Sequence, residues 1–391
     1  MWLMKVMKIT DVRSTIIGVP YSEPEPWAWG IGHYGVNSII VELPTDDDII
    51  GIGEGTSVHE SVEYGKIIID SAKKFLVGQD PFDIESIMRN IWEAGLTDAR
   101  VMSGVEMALW DLMGKACRKP LYKLLGGAIS KKIPFAPWLN RKKPEDMARD
   151  ALKFVKQGFK AFNIKVGIDP IGDIEAVKAV REALGDQYQI RVDANLAWTP
   201  GFAVKMIKKM EQYDIDFVED PTYSYGMTRV KKAVDTPICS GADSPYDIFR
   251  VVKEESADII GHIDPRMQGG ILNSKKACAI CEMAGLPVVT HAGWELSIAT
   301  CAVLHIAAST PNCIYPHQTY YMYLTDDVRK AGMLTFEDGC MLVPEEPGLG
   351  LELDWDKVHK YAELHQKQGG FSIYGRPAVQ KLRKVLPYPR Y

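Results

Sequence analysis

Short apolar runs alternate with amphipathic stretches from about residue 133 to residue 324. The run Ile133–Leu139 has the length of a strand, and Pro144–Gln157 then places its apolar side chains at helical spacing. Seven more strands are predicted at Ala161–Val166, Gln189–Val192, Asp216–Val218, Pro237–Ser240, Asp258–Ile263, Pro287–Thr290 and Cys313–Tyr315. Eight such strands, with helix-like segments between them, predict a closed parallel β/α barrel of the TIM type, because six or fewer would fit an open sheet better.

The first 127 residues follow a different pattern, with strand-like segments that precede helical ones. Strands are predicted at Lys8–Pro20 and Asn37–Leu43, and helices at Ser61–Phe75 and Arg100–Arg118. After the eighth strand, Gly332–Leu353 is predicted to form short strands and turns. We therefore expect an α+β capping domain (1–127), a barrel (128–324) and a C-terminal segment (325–391) that returns to the capping domain.

Composition narrows the kind of partner. A net charge of −5 and a pI near 6.0 provide no basic surface, so nucleic acid is not expected and a small-molecule partner is. No apolar run is long enough to predict a membrane span, and the N-terminus lacks the features of a signal peptide, which favours a cytoplasmic location. The seven cysteines predict reduced thiols, and the pair Cys278 and Cys281 is expected in the core on a helix over Asn273–Ala284.

Acidic residues end three consecutive predicted strands: Asp193, Glu219 and Asp243. A barrel places its active site at these strand ends. Three carboxylates in one partly buried pocket need a positive partner, and oxygen ligands without Cys or His suit Mg²⁺ or Mn²⁺ better than Zn²⁺. Each acid alone could cap the following helix instead, but the set of three favours a metal site.

Candidate acid/base residues flank this site. Lys165 ends the second strand beside the acids, and a metal that neutralised them would make the lysine easier to deprotonate. His291 ends the seventh strand and Asp264 the sixth, so the carboxylate can orient the imidazole as a general base. The structural alternatives are a salt bridge for the lysine and a buried hydrogen-bonded pair for the other two.

The sequence resembles the mandelate racemase and muconate lactonising branch of the enolase superfamily over nearly its whole length. The resemblance is carried by a segment that starts at Ser103-Gly-Val-Glu-Met-Ala-Leu-Trp-Asp, by Pro120-Leu-Tyr-Lys-Leu-Leu-Gly-Gly127, and by the barrel motifs in the family's order. Those motifs are Lys165-Val-Gly, Asp193-Ala-Asn195, Val218-Glu-Asp-Pro221 and Asp264 with Gly269-Gly270.

The resemblance implies roles for these residues. It implies Asp193, Glu219 and Asp243 as Mg²⁺ ligands, Lys165 as one acid/base, and the His291–Asp264 pair as the other. Asn163, Asn195 and His317 are expected to contact the substrate. Asn163 stands where many relatives carry a lysine, His317 is assigned to the place where mandelate racemase has a glutamic acid, and Asp243 precedes a serine rather than a second acid or an asparagine. The resemblance also implies a symmetric homo-oligomer.

The expected first step is abstraction of the proton next to a substrate carboxylate, with the charge of the enediolate held by the metal. Dehydration of an acid sugar to a 2-keto-3-deoxy acid is favoured. Racemisation or epimerisation of a 2-hydroxy acid and cycloisomerisation of a sugar lactone are the alternatives, and a Schiff-base aldolase using Lys165 or a non-catalytic ligand-binding barrel are rivals from other classes. The loop Tyr21–Gly35, with Trp27, Trp29, His33 and Tyr34, is expected to close over the barrel mouth or to pack at the domain interface.

Overall fold

The computed structural model describes residues 6–24, 26–27, 30–31, 33–56, 62–291 and 293–371. Its N-terminal part is an antiparallel sheet, in the order β1–β4–β5, covered by helices. The strands are β1 (Arg13–Pro20), β2 (Pro26–Trp27), β3 (Gly30–Ile31), β4 (Gly35–Pro44) and β5 (Ile50–Thr56), of which β2 and β3 pair with each other. The helices are α1 (Val62–Leu76), α2 (Ile84–Glu93), α3 (Ala99–Ala116) and α4 (Leu121–Leu124).

Helix α3 lies against strand β5 at glycine positions. A Cβ on Gly53 would stand 1.9 Å from the carbonyl oxygen of Gly104, so neither the strand nor the helix leaves room for a side chain there. Gly51 and Gly55 meet α3 in the same way. The alternating glycines of β5 therefore permit the backbone contact that holds the capping helix on its sheet.

The middle of the chain is a parallel barrel of eight strands, and seven helices connect them. The strands are β6 (Lys132–Leu139), β7 (Ala161–Lys165), β8 (Gln189–Asp193), β9 (Phe217–Glu219), β10 (Ile238–Ser240), β11 (Ile259–Ile263), β12 (Val288–Thr290) and β13 (His317–Thr319). The helices are α5 (Pro144–Lys156), α6 (Pro170–Leu184), α7 (Pro200–Met210), α8 (Ser224–Lys231), α9 (Pro245–Glu254), α10 (Ile271–Met283) and α11 (Ser297–Ala308). The predicted TIM-type architecture with a capping domain is confirmed. None of the helices in the described part of the chain is both long and apolar enough to span a bilayer.

The eighth strand was predicted in the wrong place. The apolar run Cys313–Tyr315 precedes the strand, and His317–Thr319 pairs in parallel with β6 instead. The backbone N–H of Thr290 in β12 donates to Nδ1 of His317, 3.1 Å away, and so links the seventh strand to the eighth. The polar residues of this strand bond inside the barrel, which explains why the strand lacks an apolar signature.

The C-terminal segment contacts both parts of the molecule. Its strand β14 (Cys340–Leu342) pairs antiparallel with the first barrel strand, β6, rather than with the capping sheet. Helix α12 (Trp355–Gln368) packs against β1, and the backbone N–H of Phe371 donates to the side chain of Asn37. The predicted domain boundaries stay a prediction, because these contacts do not locate them.

Two buried carboxylates of the N-terminal part cap barrel helices. Glu54 accepts hydrogen bonds from the backbone N–H groups of Leu296 and Ala299 at the start of α11. Glu106 accepts from Ile271 and Leu272 at the start of α10, where helix N–H groups have no partner within the helix. A Cβ on Gly270 would lie 2.3 Å from the Glu106 carboxyl carbon, so this glycine makes room for the cap.

Candidate active site

Lys165, Asp193 and Glu219 stand side by side at the ends of three adjacent strands. Lys165 is the register partner of Asp193, and Asp193 is the register partner of Glu219. The Lys165 Nζ lies 2.8 Å from Asp193 Oδ2, and all three side chains are buried. Burial raises the pKa of Asp193, and the neighbouring Lys165 charge opposes this rise.

Trp138, on the first barrel strand, forms one wall beside the lysine. The Lys165 Nζ lies 3.9 Å from the centre of the indole ring, close enough for a cation–π interaction. Tyr320, directly after the eighth strand, stacks on the same tryptophan with ring centres 5.7 Å apart and planes 8° apart. The mouth next to Lys165 is therefore lined by an aromatic pair.

His262 was not among the predicted site residues, yet it connects two of them. Its Nε2 lies 3.0 Å from Glu219 Oε1, and its Nδ1 lies 2.9 Å from Asp243 Oδ1. The other oxygen of Glu219 accepts a hydrogen bond from the Gln318 side chain. Strand alternation could have revealed His262, because it lies two residues before Asp264 and so on the same side of β11.

The three predicted metal ligands do not converge in the described part of the chain. Asp193 and Glu219 are neighbours, whereas Asp243 lies in the loop three residues beyond β10, half-exposed, with the His262 ring between it and Glu219. No three His, Cys, Asp or Glu side chains among the described residues form a group that could hold a metal ion. The donor chemistry nevertheless fits a hard cation, because a further acid, the buried Asp220, adjoins the group. Burial and the charges of Glu219 and Asp193 raise the pKa of Asp220 to about 7, although the nearby His262 opposes the rise.

His291 and Asp264 form a contact across the ends of the sixth and seventh strands. The His291 Nδ1 lies 3.4 Å from Asp264 Oδ2, and both groups are buried. Burial lowers the pKa of His291, although the bond to Asp264 opposes the shift. The imidazole is therefore neutral near pH 7, with Nδ1 oriented toward the carboxylate.

A second group, absent from the sequence predictions, also binds Asp264. Arg266 donates from Nη2 to Asp264 Oδ2 at 2.7 Å and from Nε to Oδ1 at 3.2 Å. Burial alone would raise the pKa of Asp264, but the guanidinium charge holds that pKa well below its usual range. Glu295 lies 3.6 Å from the same guanidinium, and burial raises its pKa to about 8. Arg266 follows the strand in a loop, where neither periodicity nor spacing distinguishes it.

The three residues predicted to contact the substrate occupy different places. Asn163 lies two residues before Lys165 on the same strand; its side-chain nitrogen donates to the carbonyl of Ala136, and its buried Oδ1 has no hydrogen-bond partner among the described residues. Asn195 follows Asp193 and donates its backbone N–H to that carboxylate at 2.7 Å.

His317 lies in the eighth strand. It begins this strand, where it pairs with Phe135, and its Nδ1 accepts a hydrogen bond from the backbone N–H of Thr290. Burial and the Arg191 charge lower its pKa to about 3, so the ring stays neutral. These contacts place His317 in the barrel wall, and its contact with a substrate stays a prediction.

The predicted lid is only partly visible. Trp29 and the side chain of Trp27 lie outside the described residues. His33 is buried, and its ring centre lies 4.5 Å from that of Trp294, in the loop after β12. Tyr21 contacts Tyr320 with ring centres 6.3 Å apart. These contacts place both ends of the loop against the barrel mouth.

A capping domain on a TIM-type barrel, with a lysine, acids and a His–Asp pair at the strand ends, defines an enzyme of the enolase superfamily. Two family models match the chain: "Mandelate racemase / muconate lactonizing enzyme, N-terminal domain" over residues 17–126 and "Enolase C-terminal domain-like" over residues 146–357. The chain belongs to the mandelate racemase/muconate lactonizing enzyme family.

Relatives of several activities share this family. The chain is 32% identical to an L-Ala-D/L-Glu epimerase from Bacillus subtilis, over 88% of this chain and 97% of the relative. It is 30% identical to an arabinonate dehydratase from Saccharolobus solfataricus, over 82% of this chain and 89% of the relative. A solved enolase from Pseudomonas fluorescens with bound magnesium, potassium and tartrate has a TM-score of 0.89 and 26% identity, covering 99% of this chain and all of that one.

Proposed function

We propose that this enzyme removes the proton next to a substrate carboxylate, with His291 as the base and Lys165 as the acid. The observation that carries the proposal is the contact between His291 Nδ1 and Asp264 Oδ2, 3.4 Å apart at the ends of the seventh and sixth strands. Lys165 stands on the second strand, and the first and eighth strands separate the two, so the residues can act on different sides of one substrate. Lys165 lies 2.8 Å from Asp193, and from this position we assign it the role of the acid.

Asp193, Glu219 and Asp243 are the residues that would hold Mg²⁺, or Mn²⁺ in its place. Asp243 would first have to leave His262, because the ring now separates it from Glu219. When bound, the ion would attract the substrate carboxylate and stabilise the negative charge that develops as the proton leaves. Asn195 would hold Asp193 in orientation through its backbone N–H.

The reaction we favour is dehydration of an acid sugar to a 2-keto-3-deoxy acid. His291 takes the proton on the carbon next to the carboxylate, the bond between the next carbon and its hydroxyl breaks, and Lys165 supplies the proton with which the hydroxyl leaves as water. The resulting enol becomes the keto acid by tautomerisation. The arabinonate dehydratase relative and the tartrate-bound enolase support this substrate class. The buried, unpartnered Oδ1 of Asn163 supports it too, since a substrate hydroxyl could donate to it.

Epimerisation is the second candidate. If Lys165 returns its proton to the same carbon, the configuration inverts and no water is lost. The relative from Bacillus subtilis, an L-Ala-D/L-Glu epimerase, favours this outcome, and the Trp138–Tyr320 pair could bind an apolar substituent that a sugar acid lacks. Cycloisomerisation has a relative as well, a chloromuconate cycloisomerase at 28% identity.

One assay separates these reactions. Sugar acids, 2-hydroxy acids and dipeptides are incubated with the protein and Mg²⁺ in D₂O, and the products are followed by NMR and by a semicarbazide assay for keto acids. Dehydration yields a keto acid, whereas epimerisation yields the inverted isomer with deuterium at the carbon and no keto acid. His291→Asn and Lys165→Met should remove either activity. Turnover that survives His291→Asn would contradict the assignment of the base.

A separate experiment addresses the rival from another class. A Schiff-base aldolase would be trapped on Lys165 by borohydride and a carbonyl substrate, with a corresponding mass increase. We also propose a symmetric homo-oligomer, which light scattering on the full chain would test.

A further inference from the structure

We propose that Arg266 is a positioning residue that holds both members of the His291–Asp264 pair in their working geometry. The inference rests on the proposed function, because it assigns a role in the presentation of the base. Arg266 itself need not touch a substrate, and it acts through the two residues that it binds.

Arg266 binds Asp264 through both its side chain and its backbone. The Arg266 side chain bonds both carboxylate oxygens, and its backbone N–H adds a bond of 2.9 Å to Oδ1. The oxygen that faces His291, Oδ2, is 2.7 Å from Arg266 but 3.4 Å from the imidazole. Asp264 is therefore shared, and the arginine is the stronger partner.

Arg266 also binds the loop that follows His291. The guanidinium donates from Nη2 to the carbonyl of Gly293 at 2.6 Å and from Nη1 to that of Trp294 at 2.9 Å. Trp294 has a φ of 63°, which a non-glycine residue adopts only when its surroundings impose it. A Cβ on Gly293 would lie 3.2 Å from His291 Cε1, so this loop forms one side of the imidazole's pocket.

Because Arg266 and His291 share Asp264, the guanidinium affects the charge on the imidazole. With the guanidinium in place, most of the Asp264 charge is compensated, and a neutral His291 is favoured. Without it, Oδ2 would be free to approach His291 and would favour the imidazolium, which cannot accept a proton. Four further titratable groups on neighbouring elements interact electrostatically with Arg266, Asp264 or His291. They are Glu54, Glu219, His262 and Glu295.

Arg266→Gln removes the charge and the planar guanidinium. Arg266→Lys keeps the charge but has three donors on one nitrogen, too few for the four bonds that the arginine side chain makes. The matched control is Arg181→Gln. Arg181 is also buried and bonds the carbonyls of four residues, Tyr213, Gly185, Tyr188 and Asp214, none of which belongs to the site. The control therefore reproduces the loss of a buried arginine that does not bond either member of the pair.

Two readouts are needed, and one of them requires no substrate. The first is ¹⁵N-histidine NMR of the full chain, in which the His291 signal is assigned by its absence in His291→Asn. We expect Arg266→Gln to raise the pH midpoint of the His291 titration by about one unit or more. The second is the exchange of the substrate proton with D₂O at pH 7. For Arg266→Gln we expect kcat to fall by at least about tenfold with KM nearly unchanged, and the acidic limb of the pH–rate profile to move to higher pH. Arg266→Lys should give intermediate values.

The outcomes separate this inference from the proposed function. Suppose that Arg266→Gln has the wild-type titration midpoint of His291 and the wild-type acidic limb of the pH–rate profile, while His291→Asn is inactive. This result would overturn the role of Arg266 but not the proposed function. Equal displacement in Arg181→Gln would overturn it as well, since the effect would then be general. If His291→Asn still exchanges the substrate proton with D₂O, the proposed function itself is wrong. If Arg266→Gln does not fold, Arg266→Lys carries the same test, and a wild-type midpoint in that variant would overturn the inference.

Discussion

The Lys165 ammonium and the Asp193 carboxylate form a buried ion pair at 2.8 Å, so the proposed acid and a proposed metal ligand depend on each other. Removal of either partner leaves an uncompensated charge in the barrel. We expect Lys165→Met and Asp193→Asn each to lower the free energy of unfolding by about 3–5 kcal/mol. The double variant should lose clearly less than the sum, as measured by urea denaturation. Additive losses would mean that the pair is not coupled.

Metal removal should abolish turnover and leave the fold. Dialysis against EDTA is expected to remove activity, and Mg²⁺ or Mn²⁺ should restore it, because Asp193 and Glu219 present only oxygen donors. Glu219→Gln should weaken Mg²⁺ binding by at least about tenfold in calorimetry. The control is Glu211→Gln, whose carboxylate accepts from the backbone N–H groups of Asp235 and Thr236 ahead of strand β10, and which should bind Mg²⁺ as the wild type does. Activity that is insensitive to EDTA would contradict the metal proposal.

The pH–rate profile should show a base with a pKa below the ordinary histidine value. Burial lowers the pKa of His291 below the ordinary value of about 6.5, so more than half of the base is neutral at that pH and the neutral fraction rises further with pH. We expect kcat/KM of the free enzyme to rise on an acidic limb below that pH. His291→Asn should remove the limb together with the activity. A limb centred well above 6.5 would indicate a different base.

Glu106 should make the protein less stable as pH rises. Its folded-state pKa is raised to about 7 from 4.5, chiefly by burial, so the native state holds a proton that the unfolded chain releases. Its contribution to the free energy of unfolding, about 3 kcal/mol, is fully present below pH 4.5 and is lost as the pH rises through 7. Glu106→Gln should flatten the decline in the free energy of unfolding between pH 5 and 8. An unchanged slope would contradict this account.

The sequence was sufficient for the elements with a strong pattern. Seven of the eight predicted barrel strands overlap observed ones, because buried parallel strands are continuous apolar runs. The eighth failed because Gln318 and Thr319 bond to Glu219 and Glu295 inside the barrel, so the strand is polar. Strand β5 was missed because glycine, which weakens the strand signal, is needed there for the approach of α3.

The site was predictable where chemistry coincides with a strand end. Lys165, Asp193 and Glu219 end their strands, and His291 and Asp264 follow theirs directly. Whether the loop residue Asp243 reaches its neighbours depends on side-chain orientation, and the sequence does not contain the His262 contact that holds it. Arg266 acts through loops from two different strands, a relationship that only tertiary structure reveals.

The helix caps made by Glu54 and Glu106 bear on how this protein could exchange parts with its relatives. Each acid lies in the N-terminal part, while the backbone groups that it satisfies belong to the barrel. A chimera whose N-terminal part lacked either acid would bury unbonded N–H groups at the start of a barrel helix. Recombination within the family should therefore succeed when donor and recipient both retain these acids and the glycine at position 270, and fail when only one of them does.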